Sequence, residues 1–267
     1  MSNDYKSDVE GLKNKLNCTH IGSNIICMLE IDSTNNLAKE YAKKNAQEGL
    51  VIVANSQTKG RGRMGKFWHS PPKTGIYLSI LLKPNLKHDQ LSFITLLAGV
   101  SAILTINEFS HHRANLKWPN DILINDKKIC GLLCEMIQKQ ENSLDVVIGI
   151  GLNVNQTIEQ LPEDLKKTAT SLKITNGSPV NRLTVIQSFL TNLDREYHSF
   201  LNKGGNSVIK KWCLNTNLFG KVISIKHGTN IIQGTAIRLD ELGRLVLLMD
   251  NGHEEAFNSG EIILNKH

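Results

Sequence analysis

The sequence predicts an α+β fold that ends in a small β domain. In the first four fifths of the chain, short apolar runs that suit strands alternate with segments whose apolar residues recur every three to four positions, as in helices. From about Leu218 the apolar period changes to two, which predicts short strands at 221–226, 231–239, 244–249 and 253–257. With 267 residues, 40% of them hydrophobic and 21% charged, the chain can bury one large core and a small second one.

Each predicted element follows from one of these periods. Helices are predicted where apolar residues share one face or form a long buried run, at 1–17, 37–42, 91–109 and 182–201. Strands are predicted where the apolar runs are short, at 25–31, 50–54, 75–82, 116–124, 128–136 and 145–154. A polar loop is predicted over 156–180, and a hairpin turn at Asn125-Asp126. The chain is thereby divided into a short N-terminal helical extension (1–20), a large domain (21–216) and a small β domain (217–267).

Charge and hydropathy exclude several classes of protein. The longest apolar stretch, near 91–104, is interrupted by Ser and Thr and falls short of a membrane span, so no membrane partner is expected. The N-terminus lacks the basic-then-apolar order of a signal peptide. The net charge of +6 favours anionic partners, but no basic recognition helix precedes the first strand, so duplex DNA is not expected as a partner.

The cysteines predict reduced thiols in a cytoplasmic protein, with no metal site. The five are scattered along the chain at Cys18, Cys27, Cys130, Cys134 and Cys213. Only Cys130 and Cys134 are close together, and neither a second pair nor a nearby His completes a zinc site.

One stretch of the chain is unusually free of acids. Between Glu48 and Asp89 there is no acidic residue, and the stretch holds seven lysines and arginines with the run Gly60-Arg61-Gly62-Arg63-Met64-Gly65. Glycine lets backbone N–H groups approach an anion closely, and no carboxylate competes for it. The run therefore predicts a loop that binds a phosphate or a carboxylate, with a solvated basic turn as the alternative.

Two known phosphate motifs match this run only in part. Both the dinucleotide-binding motif and the Walker A motif need a helix after the glycines, and Phe67-Trp68-His69-Ser70-Pro71-Pro72 is broken by its prolines. Walker A also needs Ser or Thr where Phe67 stands, and the dinucleotide motif needs a later acid that is missing. Neither motif is predicted.

Polar residues at predicted strand and helix ends are further candidates. Ser33 and Thr34 precede a helix, where a hydroxyl either caps the helix or donates to a small polar ligand. Lys117, between strand residues and Trp118-Pro119, is expected to be half-buried, so it needs an anionic ligand or a salt bridge to an acid such as Asp121.

More candidates come from the following strands. Asn120 and Asp121 could orient a nucleotide or Mg²⁺, and Lys128 lies across the hairpin turn, followed three residues later by Gly131, which permits close backbone approach. Asn153 ends a glycine-bearing apolar strand, where its amide is expected to face a site rather than a core.

In order, these segments resemble the biotin–protein ligase family. The resemblance covers roughly residues 25–265, and its segments follow one another with appropriate gaps. They are Asp32-Ser33-Thr34-Asn35, the run Gln57 to Gly65, Lys117-Trp118-Pro119-Asn120-Asp121, Lys127-Lys128 with Gly131, and Gly149-Ile150-Gly151-Leu152-Asn153. The resemblance implies a mixed-sheet catalytic domain of the type shared with class II aminoacyl-tRNA synthetases, followed by a C-terminal SH3-like β-barrel.

The resemblance also implies a role for each site residue. The catalytic residues would be Lys117, Arg61 and Arg63. Biotin would be bound by Ser33, Thr34, Asn35, Gln57, Gly60, Arg61, Gly62, Arg63 and Lys128. The nucleotide and the adenylate would be bound by Arg63, Trp68, Lys117, Asn120, Gly131 and Asn153.

The implied activity has two steps and uses ATP with Mg²⁺. The biotin carboxylate attacks the α-phosphorus of MgATP, which gives biotinyl-5′-adenylate and pyrophosphate. The ε-amine of a lysine on a biotin carboxyl carrier domain then attacks this mixed anhydride. Because the first step joins two anions, it needs cations such as Arg61, Arg63 and Lys117.

The chain departs from the bifunctional members of the family. Those carry a winged helix-turn-helix ahead of the catalytic domain, whereas only about 20 residues precede the first strand here, so a ligase without operator binding is expected. A homodimer through the central sheet is compatible with the resemblance. Two rival functions stay open: a lipoate–protein ligase or octanoyltransferase, which shares the catalytic fold, and a non-catalytic module that senses nucleotide or RNA.

Overall fold

Two β-sheets organise the residues that the computed structural model describes, which are 2–86, 90–139 and 144–263. The larger sheet has 7 strands and the smaller, C-terminal one has 5. The strands of the larger sheet are β1 (Asn24–Ile31), β2 (Leu50–Gln57), β3 (Gly75–Leu82), β4 (Asn115–Lys117), β5 (Asp121–Ile124), β6 (Lys127–Gln138) and β7 (Leu144–Asn153). The α-helices are α1 (Ser2–Gly11), α2 (Thr34–Lys43), α3 (Ser92–Phe109), α4 (Leu172–Asn176), α5 (Arg182–Lys203) and α6 (Gly205–Cys213).

The order of strands across the larger sheet is β1-β2-β3-β7-β6-β5-β4. β1 and β2 run parallel on either side of the α2 connection, and the other neighbouring strands are antiparallel. Residues directly opposite each other in antiparallel strands share one face of the sheet. One such row contains Lys117, Asp121, Gly131, Gly151 and Tyr77. Strand pairing thus brings candidate residues from distant parts of the chain onto one line.

The two faces of this sheet have different surroundings. On one face α3, α5 and α6 pack with strand residues such as Leu78 and Ile148 to form the main hydrophobic core. On the other face α2 contributes Ala38 to a smaller apolar cluster with Leu81. Tyr77 lies four residues before Leu81 in β3 and so shares that second face. The row therefore lies outside the main core, on the face of the sheet that also carries α2.

Helix α3 carries apolar residues on every side, and most of its surface is buried against other parts of the protein. By length and composition alone it is apolar enough to cross a membrane, as buried core helices also are. However, 67% of α3 is buried inside the protein, where it packs against α5, α6 and the sheet. Its composition is that of a core helix.

Most of the predicted elements are confirmed, and the exceptions have local causes. The predicted strand 116–124 is two short strands, β4 and β5, which pair with each other around a turn at 118–120. Pro119 in that turn cannot donate a ladder hydrogen bond. Helix α4 lies inside the predicted loop 156–180, where the Ser171 hydroxyl caps it by accepting from the Ile174 N–H at 3.1 Å. Helix α6 was also not predicted, because it begins at two consecutive glycines, Gly204 and Gly205, which are more typical of a loop than of a helix.

The C-terminal sheet confirms the predicted change to an all-β domain. Its strands are β8 (Val222–His227), β9 (Asn230–Leu239), β10 (Leu245–Leu248), β11 (Glu254–Phe257) and β12 (Glu261–Ile263). They are antiparallel in the order β11-β10-β9-β8-β12, which is consistent with an SH3-like domain. Strand β12 was missed because it has only 3 residues. The domain limits at 20/21 and 216/217 stay predictions.

Candidate active site

A trough lined by glycine crosses the second face of the larger sheet. Gly131 and Gly151 stand opposite each other on β6 and β7, without side chains to fill the space above the sheet. The indole ring of Trp68 lies there instead. A Cβ atom on Gly151 would be 2.3 Å from Trp68 Cε2, and one on Gly131 would be 2.9 Å from Trp68 Cζ3. The two glycines therefore let Trp68 form one wall of the site.

Trp68 also carries an unused hydrogen-bond donor. Its Nε1 is buried and has no partner among the described residues, an arrangement that costs free energy for an N–H group. The amine of Lys128 lies 5.4 Å from the centre of the ring and pairs with a carboxylate oxygen of Asp121 at 2.7 Å. The ring can therefore offer a ligand both a flat apolar surface and a donor.

The loop 60–66 folds back on itself beside this trough. The N–H of Gly62 donates to the carbonyl of Lys66 at 2.7 Å, and the N–H of Trp68 donates to the carbonyl of Gly60 at 2.9 Å. A Cβ atom on Gly60 would lie 2.3 Å from the Trp68 carbonyl oxygen, so this close approach requires glycine. The loop and its flanking residues line a cavity of about 280 Å³. This cavity is basic, because every charged residue that lines it is Lys or Arg.

Arg63 is held at its tip by uncharged oxygen atoms. Its Nη1 donates to Oδ1 of Asn120 at 3.1 Å and to the carbonyl of Gly260 at 3.2 Å, which joins the loop to the C-terminal domain. Burial lowers the pKa of this guanidinium, and the carboxylates of Asp121 and Glu261 partly oppose that shift. Arginine stays protonated even so. Within the described part of the chain Arg63 forms no salt bridge, so its charge is available to an anion.

Arg61 has a different environment from Arg63. Its guanidinium bridges Oδ1 of Asn36, at 2.9 Å, and the carboxylate of Glu135, at 2.9 and 3.3 Å. The same carboxylate accepts from the Asn35 amide at 2.8 Å and pairs with the Lys39 amine at 2.9 Å. Loop, helix α2 and strand β6 therefore meet at one acid.

The N-terminal end of α2 forms a polar corner beside the loop. Oε1 of Gln57 accepts from the Thr34 N–H at 2.8 Å and from the Thr34 hydroxyl at 3.1 Å. The Ser79 hydroxyl of β3 donates to the Thr34 hydroxyl at 2.8 Å and to Oδ1 of Asn35 at 2.5 Å. The alternative that Ser33 caps α2 is wrong, because its hydroxyl makes no capping hydrogen bond although the residue stands at the N-cap position.

Lys117 lies at the end of the strand row, and its amine forms no ion pair within the described residues. Burial lowers the pKa of its amine, Asp121 raises it, and the neighbouring charge of Lys128 lowers it further. The alternative of a salt bridge from Lys117 to Asp121 is wrong, since the Asp121 carboxylate pairs with Lys128. Among the described residues the Lys117 amine has no acid within ion-pair distance, so it favours an anionic ligand.

Asn153 is buried, and both ends of its side-chain amide are hydrogen-bonded. It is 6% exposed, its amide nitrogen donates to the Thr170 carbonyl at 3.0 Å, and its oxygen accepts from Gln156 at 3.1 Å. It lies two residues beyond Gly151 on the same face of β7. Because both ends of its amide are hydrogen-bonded within the protein, Asn153 holds together the segments that flank the trough.

The structure brings the other predicted residues around one cleft. The arginine loop contacts the corner formed by Ser33, Thr34 and Gln57 through Gly60, and it contacts α2 through Arg61. It leads into Trp68, which lies on the strand row. Ser79 and Glu135 were not predicted from the sequence, although they hydrogen-bond to the predicted residues Thr34, Asn35 and Arg61. Ser79 lies within an apolar strand and Glu135 lies near the end of another, so neither residue stands out in the sequence as part of a site.

The described residues contain no group of three or more His, Cys, Asp or Glu side chains that could hold a metal ion. A magnesium ion would not need such a group if it arrived on a polyphosphate, since Mg²⁺ keeps several waters and uses few protein ligands.

Comparison with known proteins agrees with this geometry. Residues 28–153 match the Biotin/lipoate A/B protein ligase family, and residues 218–265 match the Biotin protein ligase C terminal domain. The chain is 35% identical over 254 residues to the Bifunctional ligase/repressor BirA of Bacillus subtilis (strain 168), which covers 93% of this chain and 75% of that protein. It is 27% identical over 221 residues to the Biotin--[acetyl-CoA-carboxylase] ligase of Mycobacterium tuberculosis, which covers 81% of this chain and 79% of that protein.

A solved structure extends the likeness to three dimensions. The biotin protein ligase of Aquifex aeolicus in complex with biotin and ATP superimposes with a TM-score of 0.79 at 32% identity, and the match covers 91% of this chain and 99% of that one. With the two domain matches, this likeness confirms the α+β fold and the small C-terminal domain that the sequence predicts. The chain belongs to the biotin protein ligase family.

Proposed function

We propose that this chain activates biotin with ATP to give biotinyl-5′-adenylate and pyrophosphate, and then transfers biotin to a lysine of a carrier domain. The observation that carries the proposal is the strand row, which places the unpaired Lys117 amine in line with the glycine trough under Trp68. The related Aquifex enzyme binds both biotin and ATP, which supports the same pair of substrates here.

Biotin enters the cleft with its ureido ring toward the N-terminal end of α2. That end offers the Ser33 hydroxyl, the Thr34 hydroxyl and the Gln57 amide within one polar corner. A ureido group has two N–H donors and one carbonyl acceptor, which such a mixed set of donors and acceptors can satisfy. The Trp68 ring covers the apolar part of the ligand, and its free Nε1 donor meets an acceptor oxygen.

The first step brings a carboxylate against a polyphosphate. The biotin carboxylate oxygen forms a bond to the α-phosphorus, the bond from that phosphorus to the bridging oxygen breaks, and pyrophosphate leaves. Negative charge builds on the α-phosphoryl oxygens during this displacement. Arg63 and Lys117 stabilise it, because both are half-buried cations without a carboxylate partner in the described residues. Lys128, over the Trp68 ring, is placed to contact the activated carboxyl end.

ATP is used as its magnesium complex, with the metal arriving on the phosphates. The oxygen atoms of Asp121 and Asn120 would hold the metal on the protein side, since Asp121 belongs to the row that contains Lys117 and Asn120 precedes it in the turn between β4 and β5. The adenosine packs beside the Trp68 ring, which occupies the space above Gly131.

The second step takes an amine from outside. The ε-amine of a carrier lysine attacks the carbonyl carbon of the mixed anhydride, AMP leaves, and a proton is lost from the new amide nitrogen. We propose a biotin carboxyl carrier domain as the acceptor, supported by the acetyl-CoA-carboxylase named for the Mycobacterium tuberculosis relative. The five free cysteines suit a reducing compartment, so we place this reaction in the cytoplasm.

The described residues ahead of β1 suit catalysis without operator binding. They form α1 and a 3-10 turn at Leu12–Asn14, with Val9 and Leu12 buried against the main core. We propose that the chain does not bind operator DNA. Of the rival functions, lipoate ligation is disfavoured because residues 218–265 match a C-terminal domain of biotin protein ligases.

The deciding experiment measures pyrophosphate release from MgATP in the presence of biotin, lipoate or octanoate, without a carrier protein. Release of one equivalent with biotin alone is expected, followed by discharge when a biotin carboxyl carrier domain is added. Release with lipoate or octanoate but not with biotin would overturn the proposal.

A further inference from the structure

Glu135 stands where three structural elements meet. It lies near the end of β6 and its side chain is only 19% exposed. Its carboxylate receives the Asn35 amide from α2, the Lys39 amine from α2 and the Arg61 guanidinium from the loop, all at 2.8 to 2.9 Å. A carboxylate with two oxygens can accept this many hydrogen bonds without strain. Sheet, helix and loop are thereby tied to one side chain.

The contact with Arg61 is two-pronged and fixes the loop. Nη2 donates to Oε1 at 2.9 Å and Nη1 donates to Oε2 at 3.3 Å, so the planar guanidinium faces the planar carboxylate. Nη1 also reaches Oδ1 of Asn36 at 2.9 Å. With its side chain anchored at both nitrogens, Arg61 cannot swing freely, and the backbone of Gly60 and Gly62 on either side is held beside the trough.

The contact with Asn35 fixes the other wall of the cleft. The Asn35 oxygen accepts from the Ser79 hydroxyl, and its nitrogen donates to Glu135 and to the Leu133 carbonyl at 3.2 Å. A Cβ atom on Gly149 would lie 2.1 Å from that oxygen, so the amide is packed directly on the sheet. The amide therefore has a single orientation, which continues through Ser79 to Thr34.

We propose that Glu135 is a positioning residue for the biotin end of the site, which acts through Arg61 to hold the 60–66 loop over the cleft and through Asn35 to orient the polar corner. The inference rests on the proposed function for the identity of the ligand, and it adds a residue that touches neither biotin nor nucleotide. The negative charge is needed because Lys39 and Arg61 would otherwise repel each other at the same spot. The cations around it hold the pKa of the Glu135 carboxyl below its ordinary value, so it is ionised at neutral pH.

The test compares the full-length chain with Glu135→Gln, which keeps the shape of the side chain and removes its charge. Glu163→Gln is the matched control, because Glu163 also pairs with a lysine but its side chain is 88% exposed. For Glu135→Gln we expect the KM for biotin to rise about tenfold, the effect of one lost charge-assisted contact. The KM for ATP and kcat should stay within about twofold, as should all three values for the control.

A double-mutant cycle shows whether Glu135 acts through Arg61. If it does, Glu135→Gln should raise the KM for biotin by a smaller factor in an Arg61→Gln background than in wild type, because only the route through Asn35 remains. Additive effects of the two substitutions would overturn the proposal. A lower KM for biotin in Glu135→Gln would also overturn it, since that result would mean that the carboxylate competes with the ligand for Arg61.

Limited digestion with trypsin tests the loop without using activity. The loop contains cleavage sites after Arg61, Arg63 and Lys66, and none of them changes in Glu135→Gln. We expect cleavage there to become several-fold faster in the variant and to stay unchanged in Glu163→Gln. Equal cleavage rates would defeat the positioning role whatever the substrate is. Failure of wild-type protein to release pyrophosphate with biotin would defeat the proposed function instead.

If Glu135→Gln does not fold, as judged by its melting temperature, Arg61→Gln breaks the same contact from the loop side. The Arg61 side chain is 39% exposed, so this change leaves the core intact. Faster cleavage after Arg63 and Lys66 is then expected, and unchanged cleavage would overturn the inference.

Discussion

The ring of Trp68 lies directly on the backbone of Gly151, so that a Cβ atom at residue 151 would be 2.3 Å from Cε2 and 2.4 Å from Nε1 of the indole. This contact joins the arginine loop, whose last residues lead into Trp68, to the central strand of the sheet. It also sets the position of the only buried indole N–H that lacks a partner in the described residues. The Trp68 ring can therefore lie this close to the sheet only because residue 151 has no side chain.

Replacing Gly151 by Ala should therefore impair ligand binding. The new methyl group must push the Trp68 ring away from the sheet, because the backbone of Gly151 cannot move back without breaking the hydrogen bonds between β6 and β7. We expect the Kd for biotin to rise about tenfold or more, measured by isothermal titration, with a shift in tryptophan fluorescence.

Gly11→Ala is the control for that change. A Cβ atom at Gly11 would meet nothing within 4 Å, and the residue has no positive φ, so the same substitution should leave biotin binding unaltered. Equal Kd values for wild type and Gly151→Ala would show that Trp68 does not shape the ligand pocket.

Lys117 should show opposite effects on activity and stability. Its amine is half-buried without an ion pair in the described residues, and burial lowers its pKa, so the empty protein gains little from its charge. Lys117→Met should slow adenylate formation about 100-fold, as loss of one preorganised charge does. It should also keep or raise the melting temperature, by about 2–4 °C if roughly 1 kcal/mol is gained.

The measurements are single-turnover pyrophosphate release and thermal unfolding without ligands. Lys210→Met on the exposed side of α6 should change neither value. Wild-type adenylate formation in Lys117→Met would remove Lys117 from the catalytic residues.

Arg63 should matter more for the adenylate than for ATP. In the proposed function the phosphoryl group and the biotin carbonyl of the adenylate bind together under the loop, where Arg63 is held by Asn120 and the Gly260 carbonyl. Arg63→Ala should raise the off-rate of the adenylate about tenfold or more, while the Kd for ATP changes less. The exposed Arg113 provides the control substitution, Arg113→Ala. An adenylate that leaves wild type and Arg63→Ala at the same rate would contradict a clamping role.

The sequence predicted the chemistry of individual residues better than their partners. Lys117 was expected to be half-buried because Trp118 and Pro119 follow it, and the structure confirms this partial burial. The salt bridge suggested for it was wrong, because Asp121 turns toward Lys128 across the β5–β6 hairpin. The lysine that pairs with Asp121 depends on the register of β5 against β6, and a β-bulge between Ile122 and Leu123 shifts that register.

Residues that hold the site together could not be found from sequence patterns. Ser79 looks like one position in an apolar strand, and Glu135 looks like the polar end of another, until strand pairing places both beside α2. Asn153 shows the reverse case. Its role at the ligand stays a prediction, and its two hydrogen bonds to Thr170 and Gln156 could not be predicted because they depend on a loop whose path the sequence does not specify.

The Glu135 cluster should give the wild-type protein an acid-dependent stability that Glu135→Gln lacks. The Glu135 carboxyl is surrounded by the Asn35 amide, the Lys39 amine and the Arg61 guanidinium, and these hold its pKa below the ordinary value of 4.5 despite the opposing effect of burial. A carboxyl whose pKa is lower in the folded chain stabilises the fold fully above its unfolded pKa, and this stability is lost as pH falls through the folded value. Urea unfolding should therefore show wild type more stable than Glu135→Gln by about 1–2 kcal/mol at pH 7, with the difference shrinking below about pH 4.5. A difference that stays constant down to pH 3 would mean that Glu135 stabilises the fold by shape rather than by charge.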